Sequence, residues 1–366
     1  MKPVRYKDSL DPVATDGRDI NRNTAGLSGE AAGQKAAIDR DSAIQTWTTL
    51  PMPDRADPTY YDRPLLKEPV WKIDIPLYYY VGGLTGASLA LGAATQLDST
   101  GKLTGLARRC HWIGLAGSGV SAGLLIHDLG RPARFLNMLR VFRPTSPMNM
   151  GAWILSGVPP TALGALLFTG RSGSKNAIGR TFGYLSGAFG LGLATYTGVL
   201  VANSVIPVWQ ESRHSLPVLF GASAVTSVGS LFDMIRQNPE ERRIIGTFGT
   251  VGRVAELAAS IVLERRASAI PRVAEPLKKG FSGVMWKTAA ALTAGSLLAS
   301  LLPGRSRGKR FLGGLLGSLG SLCMRCAIEH AGVISARDAR ASFHQQRLGH
   351  GAAEVTGPKS LRRRNS

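Results

Sequence analysis

Between Ile73 and Ala336 the sequence alternates short basic connections with apolar runs, each about the 20 residues that a helix needs to cross a membrane. Inside lipid every backbone polar group must be hydrogen-bonded within the structure, which leaves only helices or closed barrels. The runs lack the polar face that a soluble surface helix shows. The pattern therefore predicts an all-α fold, a polytopic membrane helix bundle.

The number of runs predicts about eight transmembrane helices. Short connections make successive helices antiparallel neighbours, as in two four-helix bundles. Eight crossings place both ends of the bundle on one face of the membrane. The orientation of that face stays open, because Lys and Arg are divided almost evenly between the loops of the two faces. The predicted spans are 73–97, 110–128, 149–170, 181–207, 216–236, 244–264, 281–302 and 311–335.

Polar segments flank the transmembrane domain, which we place at residues 73–336. Residues 1–72 are rich in Asp, Arg, Gly, Pro and Thr and predict a mostly extended arm or linker. The aromatic and proline cluster from Pro58 to Trp71 is expected to settle on the membrane surface or under a partner subunit. Residues 337–366 form a basic tail.

Composition excludes several classes of function. The net charge of +20 suggests nucleic acid, but the basic residues lie mainly in loops, where they anchor helices and meet lipid headgroups. Three cysteines are too few for a disulfide framework, a zinc site or an iron–sulfur cluster. A haem needs two facing histidines, whereas His111 and His127 stand at opposite ends of one span, and His127 with His330 is the one pair that could share a level. We therefore expect no haem, no iron–sulfur cluster and no metal site in this chain.

The stretch from His127 to Asn149, HDLGRPARFLNMLRVFRPTSPMN, lies between two apolar runs and so at one membrane surface. Pro132 ends the preceding helix because proline cannot continue its hydrogen-bond ladder. A histidine and a carboxylate at that depth are costly unless they have partners or a task. His127 and Asp128 suit proton exchange near neutral pH, and we interpret them as the candidate catalytic pair.

Two other spans offer polar groups near the same surface. Asp74 and Tyr78 are four residues apart and share a helix face. Tyr196 and Asn203 are seven apart, two helical turns, and also share a face. A quinone needs an apolar slot with a donor or a proton-exchanging group at each carbonyl, which these groups could provide. The alternative is that they only hydrogen-bond to one another between helices.

Further ionisable residues lie inside the later spans. They are Asp233, the pair Arg253 with Glu256 and the pair Arg325 with Glu329. Charges inside a membrane are usually paired and often functional. Two interpretations remain open. The charges lock helices together as ion pairs, or a proton route runs through Asp128, Asp233 and Glu256.

Several segments together resemble the NrfD/polysulfide reductase membrane-anchor family, over roughly residues 68–340. The long stretch HDLGRPARFLNMLRVFRPTSPMNMGAW is the most specific of them. The supporting segments are IDIPLYYYVGGLTG, YTGVLVANSVIPVW followed by LPVLFGASA, and AGVISARDA.

The resemblance implies a multi-pass subunit of the bacterial cytoplasmic membrane that is not catalytic alone. Such a subunit exchanges electrons between menaquinone or ubiquinone and a docked, ferredoxin-like iron–sulfur subunit. That partner serves a molybdopterin-dependent catalytic subunit or a larger respiratory complex. The residues that match the family motifs at the quinone are Asp74, Tyr78, His127, Asp128, Arg131 and Tyr196. The competing interpretations are a secondary transporter or ion channel, which also uses intramembrane charges, and a purely structural membrane anchor without its own quinone site.

Overall fold

The computed structural model describes residues 64–98, 100–129, 133–169, 174–302 and 306–342, together with two short strands nearer the amino terminus. The chain divides into two units, Met1–Asp62 and Arg63–Ser366. In the first unit, β1 (Ile20–Asn21) pairs with β2 (Gly26–Leu27) in antiparallel register, with Ile20 opposite Leu27.

The second unit is helical, and in its described residues eight helices are long enough to cross a membrane. Two of them, α1 and α2, are more polar; the other six are also apolar enough by composition. The expectation of a polytopic helical membrane bundle is confirmed. In chain order the helices are α1 (Asp74–Thr95), α2 (Thr104–Asp128), α3 (Ala133–Met138), α4 (Pro147–Phe168), α5 (Ser174–Ala202), α6 (Pro207–Glu211), α7 (Leu216–Met234), α8 (Pro239–Ala267), α9 (Pro271–Lys278), α10 (Gly280–Leu301) and α11 (Arg307–Arg337).

Several helices begin earlier than the apolar runs suggested, because local caps extend them. The α8 helix begins at Pro239 and not near 244, since Asn238 and Glu241 form a capping box and proline suits the first helical position. Ser146 accepts a hydrogen bond from the Asn149 backbone and so caps α4 ahead of its apolar run.

The long helices form two four-helix bundles. Helices α1, α2, α4 and α5 pack together in the first bundle, and α7, α8, α10 and α11 in the second; α7 and α11 also contact α1. Glycine allows the closest approaches. A methyl group at Gly86 in α1 would lie 2.4 Å from the carbonyl oxygen of Gly190 in α5. Small residues of this kind let membrane helices pack backbone to backbone.

One face of the unit carries the start of α1, the end of α2, the short helices α3, α6 and α9, and the end of α11; we call it the site face. The segment before α1 is fastened across it. Trp71 stacks on Trp209 of α6 with ring centroids 5.7 Å apart. Glu68 forms an ion pair of 2.8 Å with Arg337 at the end of α11. These contacts connect the segment that leads into α1 of the first bundle with α6 and with the end of α11 of the second bundle.

Candidate functional site

An acid–base pair joins two helix ends at the site face. Asp74 is the first residue of α1 and His127 lies in the last turn of α2. The Asp74 Oδ2 atom lies 3.2 Å from His127 Nδ1. A carboxylate at the start of a helix complements the helix dipole. The His127 side chain is 76% exposed and that of Asp74 only 15%, so the pair connects the interior to the surface.

One turn further into α1, two tyrosine hydroxyls are hydrogen-bonded. The Tyr78 and Tyr196 hydroxyl oxygens contact each other, and both side chains are buried. Their rings meet edge to face, with centroids 6.4 Å apart. The Tyr196 ring is flat against α4, where a methyl group at Gly151 would lie 2.1 Å from a ring carbon. Sequence analysis missed Gly151; its signal was a glycine in the first turn of a span, in MNMGAW.

The other predicted site residues are placed differently. Asp128 is partly buried, and its carboxylate accepts a hydrogen bond from the Lys72 backbone N–H. Asn203 does not join the group, because α5 ends at Ala202 and the Asn203 side chain is exposed. Arg131 lies outside the described residues. The structure therefore brings together Asp74 with His127 and Tyr78 with Tyr196.

Aromatic side chains enclose the tyrosine pair on its other side. Tyr79 packs edge to face against Trp71, at 6.4 Å between centroids, and against Phe220, at 5.7 Å. Its hydroxyl is buried and has no hydrogen-bond partner among the described residues. The Trp209 indole N–H donates to the Ile328 carbonyl over 2.9 Å, which fixes the far end of this cluster. The site thus has an apolar wall beside its polar groups.

The arginine-rich loop between α3 and α4 is held by one side chain. The Asn149 Oδ1 atom accepts from the Arg143 backbone N–H at 2.6 Å, and its Nδ2 donates to the Val141 carbonyl at 2.9 Å. The same amide also donates to the Met138 carbonyl. Phe142 packs on Trp153, while Arg143 remains exposed. A single amide therefore fixes the backbone that presents these residues at the site face.

In the second bundle the charged residues do not form the pairs predicted from their spacing, Arg253 with Glu256 and Arg325 with Glu329. Arg253 does not pair with Glu256; its Nη2 lies 2.6 Å from Asp233 Oδ2 on α7. Helical side chains point towards the amino end of their helix, so Arg253 extends over Gly249 and away from Glu256. In the same way Arg325 extends towards Gly83 in α1 and not towards Glu329.

Glu256 and Arg325 occupy the interior between α1, α7, α8 and α11. The Glu256 carboxylate accepts from the Ser321 hydroxyl, which lies 3.2 Å from each of its oxygens. Arg325 donates to the Phe220 carbonyl at 3.0 Å, and its guanidinium lies 4.8 Å from the centre of the Phe220 ring. Both side chains are buried. The three acids of the predicted proton route are thus divided, with Asp128 at the site face and Asp233 and Glu256 in the second bundle.

The comparison with protein families identifies the segment that carries the site. A family model described as polysulphide reductase, NrfD, matches residues 64–236, which contain α1 to α7. The match includes Asp74, Tyr78, His127 and Tyr196, whereas Glu256 lies beyond it. No curated protein matches the sequence. The chain is a multi-pass membrane protein, and its residues 64–236 match the polysulphide reductase NrfD family.

Proposed function

We propose that this chain is the quinone-interacting membrane subunit of an oxidoreductase complex. It exchanges electrons between menaquinone or ubiquinone and a docked iron–sulfur subunit, which in turn serves a molybdopterin-dependent subunit. The observation that best supports this proposal is the arrangement of two polar pairs one helical turn apart. The buried Tyr78–Tyr196 pair lies below the Asp74–His127 pair, which is open to the surface.

These residues suit a quinone headgroup. A bound quinone supplies a two-electron acceptor that takes up two protons as it becomes a quinol. Tyr78 and Tyr196 are buried donors, and one O–H group would turn from its tyrosine partner to a carbonyl oxygen. The unpartnered hydroxyl of Tyr79 is a third donor beside them. Buried polar groups in proteins are usually hydrogen-bonded, so a quinone carbonyl here would give the Tyr79 hydroxyl an acceptor.

The acid–base pair above supplies a path for protons. His127 contacts water at the surface, and Asp74 holds its Nδ1 atom. This hydrogen bond fixes the ring so that Nε2 exchanges protons with water or ligand. Asp128, in the same turn, adds a second carboxylate at the membrane surface.

The partner subunit would dock beside His127. The loop fixed by Asn149 presents the exposed cations Arg140 and Arg143 together with exposed Val141 and Phe142. A surface that mixes arginine with aromatic and aliphatic side chains is typical of protein interfaces. Docking there would bring a partner's cluster close to the quinone, so that electrons pass directly between them.

A second candidate is a structural anchor without a quinone site. It is favoured by the same hydroxyl contact, because Tyr78 and Tyr196 satisfy each other without a ligand. One experiment separates the two. Tyr196→Phe removes a donor and keeps the ring against Gly151. We expect kcat/KM for quinone in the purified complex to fall roughly tenfold, which corresponds to about 1.4 kcal/mol.

The matched control is Tyr184→Phe, on the same helix near the opposite face. Tyr184 is 40% exposed and its hydroxyl accepts a hydrogen bond from Arg180 on the same helix, so loss of this hydroxyl should leave the kinetics unchanged. Equal quinone kinetics in the wild-type and Tyr196→Phe complexes, with normal assembly, would establish the anchor and reject the quinone site.

A further inference from the structure

We propose that Glu256 is a proton-binding site within the membrane, separate from the candidate quinone site. Its carboxyl group takes up and releases a proton at the centre of the second bundle. The site lies beyond residues 64–236, in a part of the chain for which the family match gives no role. The inference rests on the surroundings of Glu256 and does not require the quinone chemistry proposed above.

The two acids of the second bundle have different partners. Asp233 is held at 2.6 Å by Arg253, a permanent cation, so it has a fixed counter-charge. Glu256 instead accepts from the Ser321 hydroxyl, with Ser223 and Thr226 of α7 close by. A hydroxyl can donate to a carboxylate or accept from a carboxylic acid. The hydroxyl groups around Glu256 can therefore serve both protonation states, whereas Asp233 faces a fixed cation that favours its carboxylate.

A small cavity beside Glu256 has room for a water molecule. The cavity has a volume of about 10 Å³ and lies between α8, α10 and α11. Space of this size holds roughly one water molecule where polar partners line it. Besides Glu256, its polar walls are Ser260, Thr293 and Trp286. The Ser260 hydroxyl donates to the backbone carbonyl of Glu256 at 2.8 Å. Its oxygen, like the carboxylate of Glu256, could accept a hydrogen bond from a trapped water.

The cavity lies towards the outside of the bundle. Of the six apolar helices, α8 and α10 bury the smallest fractions of their spans, 33% and 22%. Both line the cavity, together with α11. A single water there would connect the carboxyl group to the side of the bundle that faces lipid or a neighbouring subunit.

Two opposing effects keep both protonation states of Glu256 within reach. Burial in an apolar interior favours the neutral acid, whereas the nearby guanidinium of Arg325 favours the carboxylate. The other groups that face Glu256 are neutral: Ser223 and Thr226 on α7, Ser321 on α11, and Trp286 and Thr293 on α10. On its own helix, Arg253 is directed away to Asp233. Among the residues that the structure describes, the charge of Arg325 is therefore the one that opposes protonation.

The test is labelling with a membrane-soluble carbodiimide, which reacts with protonated carboxyl groups in apolar surroundings. The acid adds across one C=N bond, its proton passes to nitrogen, and the adduct gains the mass of one reagent molecule. Peptide mass spectrometry then locates the label in the unmodified protein. We expect Glu256 to be labelled, less as the pH rises, and Asp233 to remain unlabelled. An unlabelled Glu256, or labelling that does not change with pH, would overturn the proposal.

Two variants test the role of Arg325. Arg325→Gln removes the cation that favours the carboxylate, so labelling of Glu256 should persist to a pH about one to three units higher. Arg253→Gln, the matched control, should leave the pH profile at Glu256 unchanged. Glu256→Gln should carry no label at this position. The wild-type measurement stands even if a variant fails to fold. Because no quinone is needed, this result is independent of the Tyr196→Phe kinetics.

Discussion

The site face of the first bundle and the interior of the second bundle use similar side chains in opposite ways. Each contains a carboxylate with a basic partner and nearby hydroxyls. At the site face His127 is 76% exposed, so water can replace any partner that is lost. In the second bundle Arg253 is only 1% exposed, and Arg325 is fully buried. The comparison teaches that the Asp74–His127 pair is free to perform chemistry, whereas the Arg253–Asp233 pair must remain charge-balanced to stay folded.

The largest expected effect tests this claim in the second bundle. Asp233→Ala would leave the buried guanidinium of Arg253 without its partner at 2.6 Å. Removing one member of a buried ion pair typically destabilises a protein by about 3–5 kcal/mol, because the remaining charge stays buried. We expect a clear drop in the thermal unfolding midpoint of the purified protein in detergent.

The control is a solvent-exposed ion pair between the turn that precedes α2 and the first turn of α8. Lys102 contacts Glu240 at 2.8 Å, with side chains 61% and 52% exposed. Exposed pairs of this kind contribute little to stability. Glu240→Ala should therefore leave the unfolding midpoint unchanged. If both variants melt at the same temperature, burial does not distinguish the two kinds of pair and the comparison fails.

An intermediate loss of stability is expected where α4 packs against the Tyr196 ring of the candidate site. Gly151→Ala would place a methyl group 2.1 Å from the Tyr196 ring, which must then move away from α4. Overpacking of this kind costs about 1–3 kcal/mol. The displaced ring would also separate its hydroxyl from Tyr78. We expect both a lower unfolding midpoint and slower quinone turnover.

Gly123→Ala provides the matched control for that substitution. Gly123 lies in α2, and nothing lies within 4 Å of the position that its methyl group would occupy. This variant should keep wild-type stability and kinetics. Normal quinone kinetics in Gly151→Ala would show that the position of Tyr196 does not matter for the reaction.

The fold was predictable from the sequence because lipid permits few solutions. Apolar runs of membrane length defined all eight long helices, and their antiparallel order placed Asp74, Tyr78, His127 and Tyr196 near one face. The end of α5 was not predictable from hydropathy. The helix ends at Ala202, although the apolar run continues to Pro207, before which Ile206 is extended. Asn203 lies just beyond the end of the helix, and its side chain is exposed.

Partners were harder to predict than positions. Spacing along one helix suggested the pairs Arg253–Glu256 and Arg325–Glu329. Close contact between α7 and α8, where Gly229 meets Gly249, instead brings Asp233 within reach of Arg253. The hydrogen bond between Tyr78 and Tyr196 likewise depends on how each helix is rotated about its axis. Neither helix rotation nor helix separation is encoded in the spacing of residues on a single helix.

The smallest change in stability is expected at the site face, where it tests the other half of the comparison. Asp74→Asn removes the charge that faces His127 but keeps an oxygen in hydrogen-bonding reach. Since the His127 side chain is largely exposed, we expect the free energy of unfolding to change by less than about 1 kcal/mol. Quinone turnover, in contrast, should slow, because His127 loses the carboxylate that orients its ring. A loss of stability as large as that of Asp233→Ala, with unchanged turnover, would show that the pair at the site face serves the fold and not the chemistry.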